Sequence, residues 1–274
     1  MAALPERRVS RAARLARSVA GFSFVLLVTS ALGHRYGLIE TVAFFWLVGI
    51  VAALALSALA LAAYGFWRLW EYGDKAGRSA LGATLVAALV LTPFAIAAYL
   101  VVRYPALTDI STDVVEPPSL VLSGRARTAG MKPITPMDVD AIDQQLLYYP
   151  DVSGRRYEGS MDRVLKAVSA VVASHGWTPR TRMPEELDAP EYYFEANAPT
   201  YLLRLPSDAG IRLTNEGESV FVDMRINLSY GKHDMGSGAR RIDAFMKALD
   251  AEYARQTLQI IDIPPSDGEE DAVD

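Results

Sequence analysis

Three apolar runs fill residues 19–102, and they constrain the chain more than any other feature. The first, Val19 to Gly33, has 15 residues; the second, Thr41 to Trp67, has 27; the third, Ala80 to Val102, has 23. A bilayer core of about 30 Å takes about 20 helical residues at about 1.5 Å each. The second and third runs are long enough and carry no charge, so both are expected to be transmembrane helices. The first reaches spanning length when extended from Ser18 to Ile39, with His34 and Arg35 near the interface, where Arg can snorkel. A cleavable signal peptide is the competing reading of that run. Arg7, Arg8, Arg11, Arg14 and Arg17 form a basic leader, the apolar stretch is short, and Ala31-x-Gly33 resembles a cleavage site.

Charge gives these segments a direction. Residues 1–104 hold ten Lys/Arg and four Asp/Glu, a net of +6, whereas residues 105–274 hold seventeen and twenty-eight, a net of −11. Five arginines precede the first helix, and the loop Arg68 to Ser79 holds Arg68, Lys75 and Arg78. The loop His34 to Glu40 holds only Arg35. The positive-inside rule then places residues 1–17 as a basic cytoplasmic tail and the Arg68–Ser79 loop on the same side. Three crossings (about 18–39, 41–67 and 80–102) put everything after Tyr104 across the membrane. In a bacterial cell this is an inner-membrane, multi-pass protein with a periplasmic C-terminal domain. Neither the second nor the third helix contains an ionisable residue, which favours an anchor over a conduction pathway. Ala52, Ala55, Ala58 and Ala62 suit close helix packing, and Pro93 is expected to kink the third helix.

Composition removes several chemistries. The chain has no cysteine, so disulfides, thiolate zinc sites, iron–sulfur ligation and a cysteine nucleophile are excluded. The three histidines are His34, His175 and His233. A metal site would need His175 and His233 to converge with carboxylates. His175 ends a helix, where a cation meets the dipole favourably, so no metal and no cofactor is expected. The charge of −11 opposes nucleic-acid binding, while the N-terminal arginines fit anionic lipid headgroups.

Residues 105–157 are rich in proline and read as an extended linker, with a short helix from about Pro136 to Leu147 capped by Thr135. A helix follows from Ser160 to His175. Ser160 stands as its N-cap, an apolar stripe runs Met161, Val164, Leu165, Val168, Val171 and Val172, and Gly176 terminates it. Short strands are expected at Tyr192–Asn197, Tyr201–Leu205 and Gly210–Asn215. The clearest strand is Ser219–Ser229, where Val220, Val222, Met224, Ile226 and Leu228 alternate with Phe221, Asp223, Arg225 and Asn227. Asn215-Glu-Gly-Glu218 suits a hairpin turn. A final helix runs from about Met235 to Arg255, with Asp234 as its cap. The expected fold is therefore α+β: a three-helix transmembrane region, then a two-layer α+β soluble domain with an antiparallel sheet over residues 158–258. An acidic tail, 259–274, is expected to be disordered.

One polar constellation stands out. Asp223 and Arg225 lie on the polar face of the long strand, and Lys232, His233, Asp234, Arg240 and Arg241 lie at or after the turn into the last helix. Together they could bind an anionic ligand. The simpler reading is that Asp223 and Arg225 are solvated or paired across strands, Asp234 is a cap, and the neighbouring glycines serve a turn. Gly231-Lys232 is not a phosphate loop, because His follows the Lys. No Gly-x-Ser-x-Gly or kinase signature occurs.

Three stretches carry a family likeness. They are Leu107-Thr-Asp-Ile-Ser-Thr-Asp113 with Pro117-Pro118, then Tyr149-Pro150 ahead of a helix ending in His175-Gly-Trp177, then Val222-Asp-Met-Arg225 with Gly231, Asp234-x-Gly236 and Ala239-Arg-Arg-Ile242. Over roughly residues 107–256 the chain resembles the bacterial family called domain of unknown function 1499. It departs where the family tends to have Arg-Ser-x-Ser, here Arg225-Ile-Asn-Leu-Ser229, and where Asn tends to precede the helical Ala, here Gly238. The resemblance implies a membrane-associated bacterial protein with an envelope-facing domain, and it implies no activity.

Three functional readings follow. The favoured one is a non-enzymatic envelope protein whose domain binds a partner protein, a lipid or a small anionic ligand. The second is a hydrolase-like or other enzyme with Asp223, His233 and Asp234 as acid/base groups and Arg225 and Arg240 orienting an anionic substrate. The third is an accessory subunit whose helices pack in a membrane complex.

Overall fold

The computed structural model describes residues 10–182 and 189–261. The chain divides into two compact units: residues up to Tyr104 together with Thr200–Leu205, and Pro105–Pro199 together with the residues after Leu205.

The first unit is a three-helix bundle of α1 (Arg11–Arg35), α2 (Thr41–Tyr72) and α3 (Gly77–Arg103). All three helices are long and apolar enough to cross a membrane. Helix α1 begins seven residues earlier than the expected start at Ser18, because the Ser10 hydroxyl caps it by accepting from the Ala13 N–H at 3.4 Å. Arg11, Arg14 and Arg17 are therefore helical rather than part of a tail. Small residues make the inner seam. Ala13, Ala16 and Ala20 of α1 meet Ala58 and Ala62 of α2 and Ala80, Ala83 and Ala87 of α3, all fully buried. Alanine at three- and four-residue spacing lets helix backbones approach where no hydrophobic force drives association. The outward side chains, among them Phe22, Trp46, Leu56 and Leu85, are exposed and apolar, as contact with lipid requires. Pro93 lies inside α3.

Residues 201–205, expected as a strand, form a turn in this unit. Their carbonyls are taken by side chains rather than by a neighbouring strand: Arg35 donates to the Tyr201 and Leu202 carbonyls at 2.7 Å each, and His34 Nδ1 lies 2.8 Å from that of Leu203.

The second unit is built on one antiparallel sheet. Its strands are β1 (Asp109–Ser111), β2 (Arg155–Glu158), β3 (Thr178–Pro179), β4 (Glu191–Asn197), β5 (Ser207–Asn215) and β6 (Ser219–Leu228). The order is β1-β6-β5-β4-β3, and β2 shares the outer edge of β6 with β1. The β5–β6 hairpin turns as expected, with the Glu216 N–H donating to the Ser219 carbonyl and the Gly217 N–H to Asn215 Oδ1. Helices α6 (Met161–Ser174) and α7 (Ser237–Ile261) cover one sheet face. There Val164, Leu165 and Val168 meet Phe194, Ile211, Leu213, Val222, Met224 and Ile226 around Phe245 of α7. Trp177 stacks on Phe245 with centroids 5.4 Å apart. Ser160 occupies the N-cap position of α6, but its side chain makes no capping bond. His175 closes the helix at the other end, its Nδ1 2.9 Å from the Val171 carbonyl.

Residues 105–157 are not a linker. Besides β1 and β2 they supply α4 (Val121–Ala126) and α5 (Val139–Tyr148), and they fold onto the sheet. Helix α5 starts three residues later than expected, because Asp138 rather than Thr135 caps it, accepting from the Ala141 N–H at 2.7 Å. Gln145 of α5 is buried and exchanges two bonds with the backbone of Ser111. The segment 112–137, here called the strap, crosses the sheet face opposite α6 and α7. The expected disorder of 259–274 falls almost wholly outside the described residues.

Candidate functional site

Period-two alternation sends Asp208, Gly210 and Arg212 of β5, and Asp223, Arg225 and Asn227 of β6, to one face. Register places them directly opposite in pairs: Asp208 with Asn227, Gly210 with Arg225, and Arg212 with Asp223. An antiparallel sheet with one polar face normally leaves that face to water. Here it is buried. Asp208 is 2 % exposed, Asp223 3 %, Arg225 6 % and Arg212 7 %. Burying charges this deeply is tolerable only when each is paired and hydrogen-bonded, and the partners come from the strap, from Asp109 of β1, from Arg180 and from the face itself.

Three ion-pair groups line the face. Arg212 Nη2 donates to Asp223 Oδ2 at 2.7 Å and to Asp113 Oδ2 of the strap at 2.8 Å. Arg225 grips Asp109 with both Nε and Nη2, at 2.9 and 2.6 Å, and donates to the Pro118 carbonyl at 3.3 Å. Asp208 accepts from Arg127 Nη2 at 2.9 Å and from Arg180 Nη2 at 3.0 Å, and Arg127 also reaches Asn227 Oδ1 at 2.6 Å. Glu195 of β4 completes the row, its two oxygens accepting from the backbone N–H groups of Leu122 and Ser123 at the start of α4. Between Glu195 and Arg225 lies Gly210. A Cβ there would sit 3.0 Å from both Leu120 Cδ2 and the Ser119 carbonyl, so this glycine is what lets the strap lie flat on the sheet.

Pairing sets the electrostatics. Burial alone pushes the Asp113 carboxyl up, but the Glu116 N–H, the Arg212 guanidinium and the Val115 N–H outweigh it and hold it below its ordinary value. Its contribution to stability is therefore fully present above the ordinary aspartate value and is lost as pH falls through the lower, folded one. Asp113→Asn is expected to cost about 1 kcal/mol at neutral pH. In urea titrations at stepped pH, the variant and wild-type curves should converge in strong acid.

The other expected site residues are placed elsewhere. Asp234 Oδ1 and Oδ2 accept from the Gly236 and Gly238 N–H groups at 2.8 and 2.7 Å, capping the start of α7. Burial pushes its carboxyl above the ordinary value despite those bonds. Gly238, one of the departures noted above, has room only for hydrogen, because a Cβ would lie 2.8 Å from Ile110 Cγ1. His233 Nδ1 accepts from the Met235 N–H at 2.8 Å. Lys232 and Arg240 are exposed. Arg241 lies on the opposite, helix-covered side of the sheet. It donates to Ser207 Oγ and the Ala198 carbonyl and stands over the Trp177 ring at 5.4 Å. Burial pushes its guanidinium down to about 10. The structure therefore joins Asp223 and Arg225 in one polar layer, and sets His233, Asp234 and Arg241 apart from it.

Two cavities flank the Asp109–Arg225 pair. One, of about 200 Å³, is lined by Thr108, Asp109, Lys132, Thr135, Asp138 and Asn227. The other, of about 530 Å³, is lined by Ser119, Leu120, Arg125, Pro133, Ile134 and Arg225. Lys132 Nζ donates to Thr108 Oγ1 at 2.5 Å, and burial lowers its affinity for a proton while nearby Asp109 raises it. Lys132, Arg125 and Asp109 were absent from the sequence-based constellation. Asp109 lies within the first family-like stretch, but its partner is more than a hundred residues away in the chain. Among the described residues no three His, Asp or Glu side chains converge as a metal centre would require.

No curated protein matches the chain. A family model described as a protein of unknown function, DUF1499, matches residues 109–249, from β1 through the sheet and into α7. That match spans more than half of the 274 residues and contains the whole ion-paired sheet face, and the chain belongs to the DUF1499 family.

Proposed function

We propose that this membrane protein sits in a bacterial inner membrane, with its N-terminus cytoplasmic and its α+β domain in the periplasm, and that the domain is a binding module rather than an enzyme. The topological part rests on three spans and on the contrast between a net +6 before residue 105 and a net −11 after it. Fusions of alkaline phosphatase and of a fluorescent protein after Tyr104 and after residue 274 test it. The phosphatase should be active and the fluorescent protein dark at both points; the reverse pattern at both overturns the assignment.

The binding part is carried by one observation: the charged groups of the β5–β6 polar face are engaged with one another and with the strap. A general acid or base must present a group whose proton can move to a substrate, whereas Asp208, Asp223 and Arg225 are committed to ion pairs. What the domain offers instead is the pair of cavities beside Arg225, with the cations of Lys132 and Arg125 at their walls. The ligand chemistry that fits is a small anion, a carboxylate or a phosphate. Succinate or inorganic phosphate should raise the melting temperature of the detergent-solubilised full chain by about 2–4 °C. Lys132→Met combined with Arg125→Gln should abolish the shift. An equal shift in that variant, or none in the wild type, removes the small-anion reading.

A further inference from the structure

A third cavity, of about 590 Å³, lies in the helical bundle. Its walls carry Arg11 and Arg14 from the first turns of α1, Tyr64 and Arg68 from the last turns of α2, and Asp74 from the α2–α3 loop. Three guanidinium groups therefore face one carboxylate. That carboxylate is committed to Arg68, whose Nε and Nη2 reach Asp74 Oδ2 at 3.0 and 2.9 Å. Among the described residues, Arg11 and Arg14 have no carboxylate within ion-pair distance. The cavity's described lining residues carry three positive charges and one negative, a net of about +2.

Its depth follows from its neighbours. Tyr64, Trp67, Trp70 and Tyr72 are exposed on the same end of α2, with Trp70 91 % exposed. Exposed Tyr and Trp on a spanning helix mark the level of the lipid headgroups. A cationic recess between helices at that level fits the phosphate of a membrane lipid, which is held in place by its acyl chains and needs only its anion recognised. The guanidinium geometry favours this, since Arg11 and Arg14 can each donate two parallel bonds to phosphate oxygens. The recess is also preformed: the Ser10 N–H donates to the Lys75 carbonyl at 3.4 Å, tying the start of α1 to the α2–α3 loop.

We infer that the Arg11–Arg14–Arg68 recess is a binding site for the phosphodiester headgroup of an anionic phospholipid. This goes beyond a general attraction of basic residues to a charged surface, because it assigns the effect to two particular arginines and not to others nearby. Arg17 and Arg78 belong to the same basic end of the bundle but do not line the cavity. The test uses the full chain in mixed micelles carrying equal phosphatidylglycerol and phosphatidylcholine, with lipid retention read by native mass spectrometry. Both lipids carry one phosphodiester and differ in net charge. The wild type should retain phosphatidylglycerol over phosphatidylcholine by about tenfold or more. R11Q/R14Q should bring the ratio near one, and R14Q alone should lower it about fivefold. R17Q/R78Q, which removes the same charge, should leave it unchanged. All three variants alter exposed or helix-end side chains, and circular dichroism confirms retained helix. Unchanged selectivity in R11Q/R14Q, or an equal loss in R17Q/R78Q, overturns the site. Displacement of the lipid by equimolar inorganic phosphate overturns the lipid as its occupant.

Discussion

Asp208→Ala is expected to destabilise the α+β domain by about 3–5 kcal/mol, the largest effect of any single substitution considered for this protein. Asp208 is the shared acceptor for Arg127 and Arg180, and both Asp208 and Arg127 have side chains less than a tenth exposed. Removing the carboxylate leaves the Arg127 guanidinium in a protein interior with only neutral acceptors, the Asn227 side chain and the Lys132 carbonyl among them. The cost is that of an uncompensated buried charge, not of a lost contact. Asp208→Asn keeps the shape and one acceptor oxygen and should cost less. Trp177 is the one tryptophan of this domain, so its fluorescence during guanidinium unfolding reports the transition directly once Trp46, Trp67 and Trp70 are replaced by Phe. A loss below 1 kcal/mol for the alanine variant would show that water reaches Arg127.

The second large effect is expected at Gly210. A valine there must displace the Ser119 carbonyl and the Leu120 side chain, each 3.0 Å from the position its Cβ would take. The Ser119 carbonyl is backbone, and the Leu120 methyl has little room to move because Leu120 is itself buried, at 4 % exposed. Overpacking of this kind costs about 1–3 kcal/mol. The strap would lift at the point where Leu122 and Ser123 donate to Glu195 and Pro118 accepts from Arg225. Arg125, exposed and just beyond that point, then offers trypsin a site. Cleavage after Arg125 should accelerate about tenfold in Gly210→Val at unchanged protease concentration, because proteolysis follows the population of the opened segment. If cleavage and stability both match the wild type, the strap is not held down at Gly210.

These two predictions concern residues whose roles the sequence left open. The strand Ser219–Leu228 was legible from alternation alone, and so was the direction of Asp223 and Arg225. The residue pattern starts their neighbour strand at Gly210, three residues late, and so omits Asp208. The proline-rich stretch 105–157 looks like a linker in sequence because it lacks long apolar runs. Its strands of three and four residues are too short to carry a period. The strand expected at Tyr201–Leu205 had the right residue types, but its carbonyls are claimed by Arg35 and His34.

Local rules were sufficient wherever the determining interaction is local. Spans follow from hydropathy and length, and the hairpin from Asn215 and Gly217; Asp234 marks the approach to α7, but the helix starts at Ser237 rather than Met235, because Met235 and Gly236 both have positive φ. The α+β class follows from the order of helices and strands. Tertiary structure alone decided whether the polar sheet face meets water or protein. That depends on pairings such as Asp109 with Arg225 and Asp113 with Arg212, each separated by roughly a hundred residues of chain. A charged side chain looks the same in a sequence whether it is solvated or buried, and only a partner brought from far away makes its burial affordable.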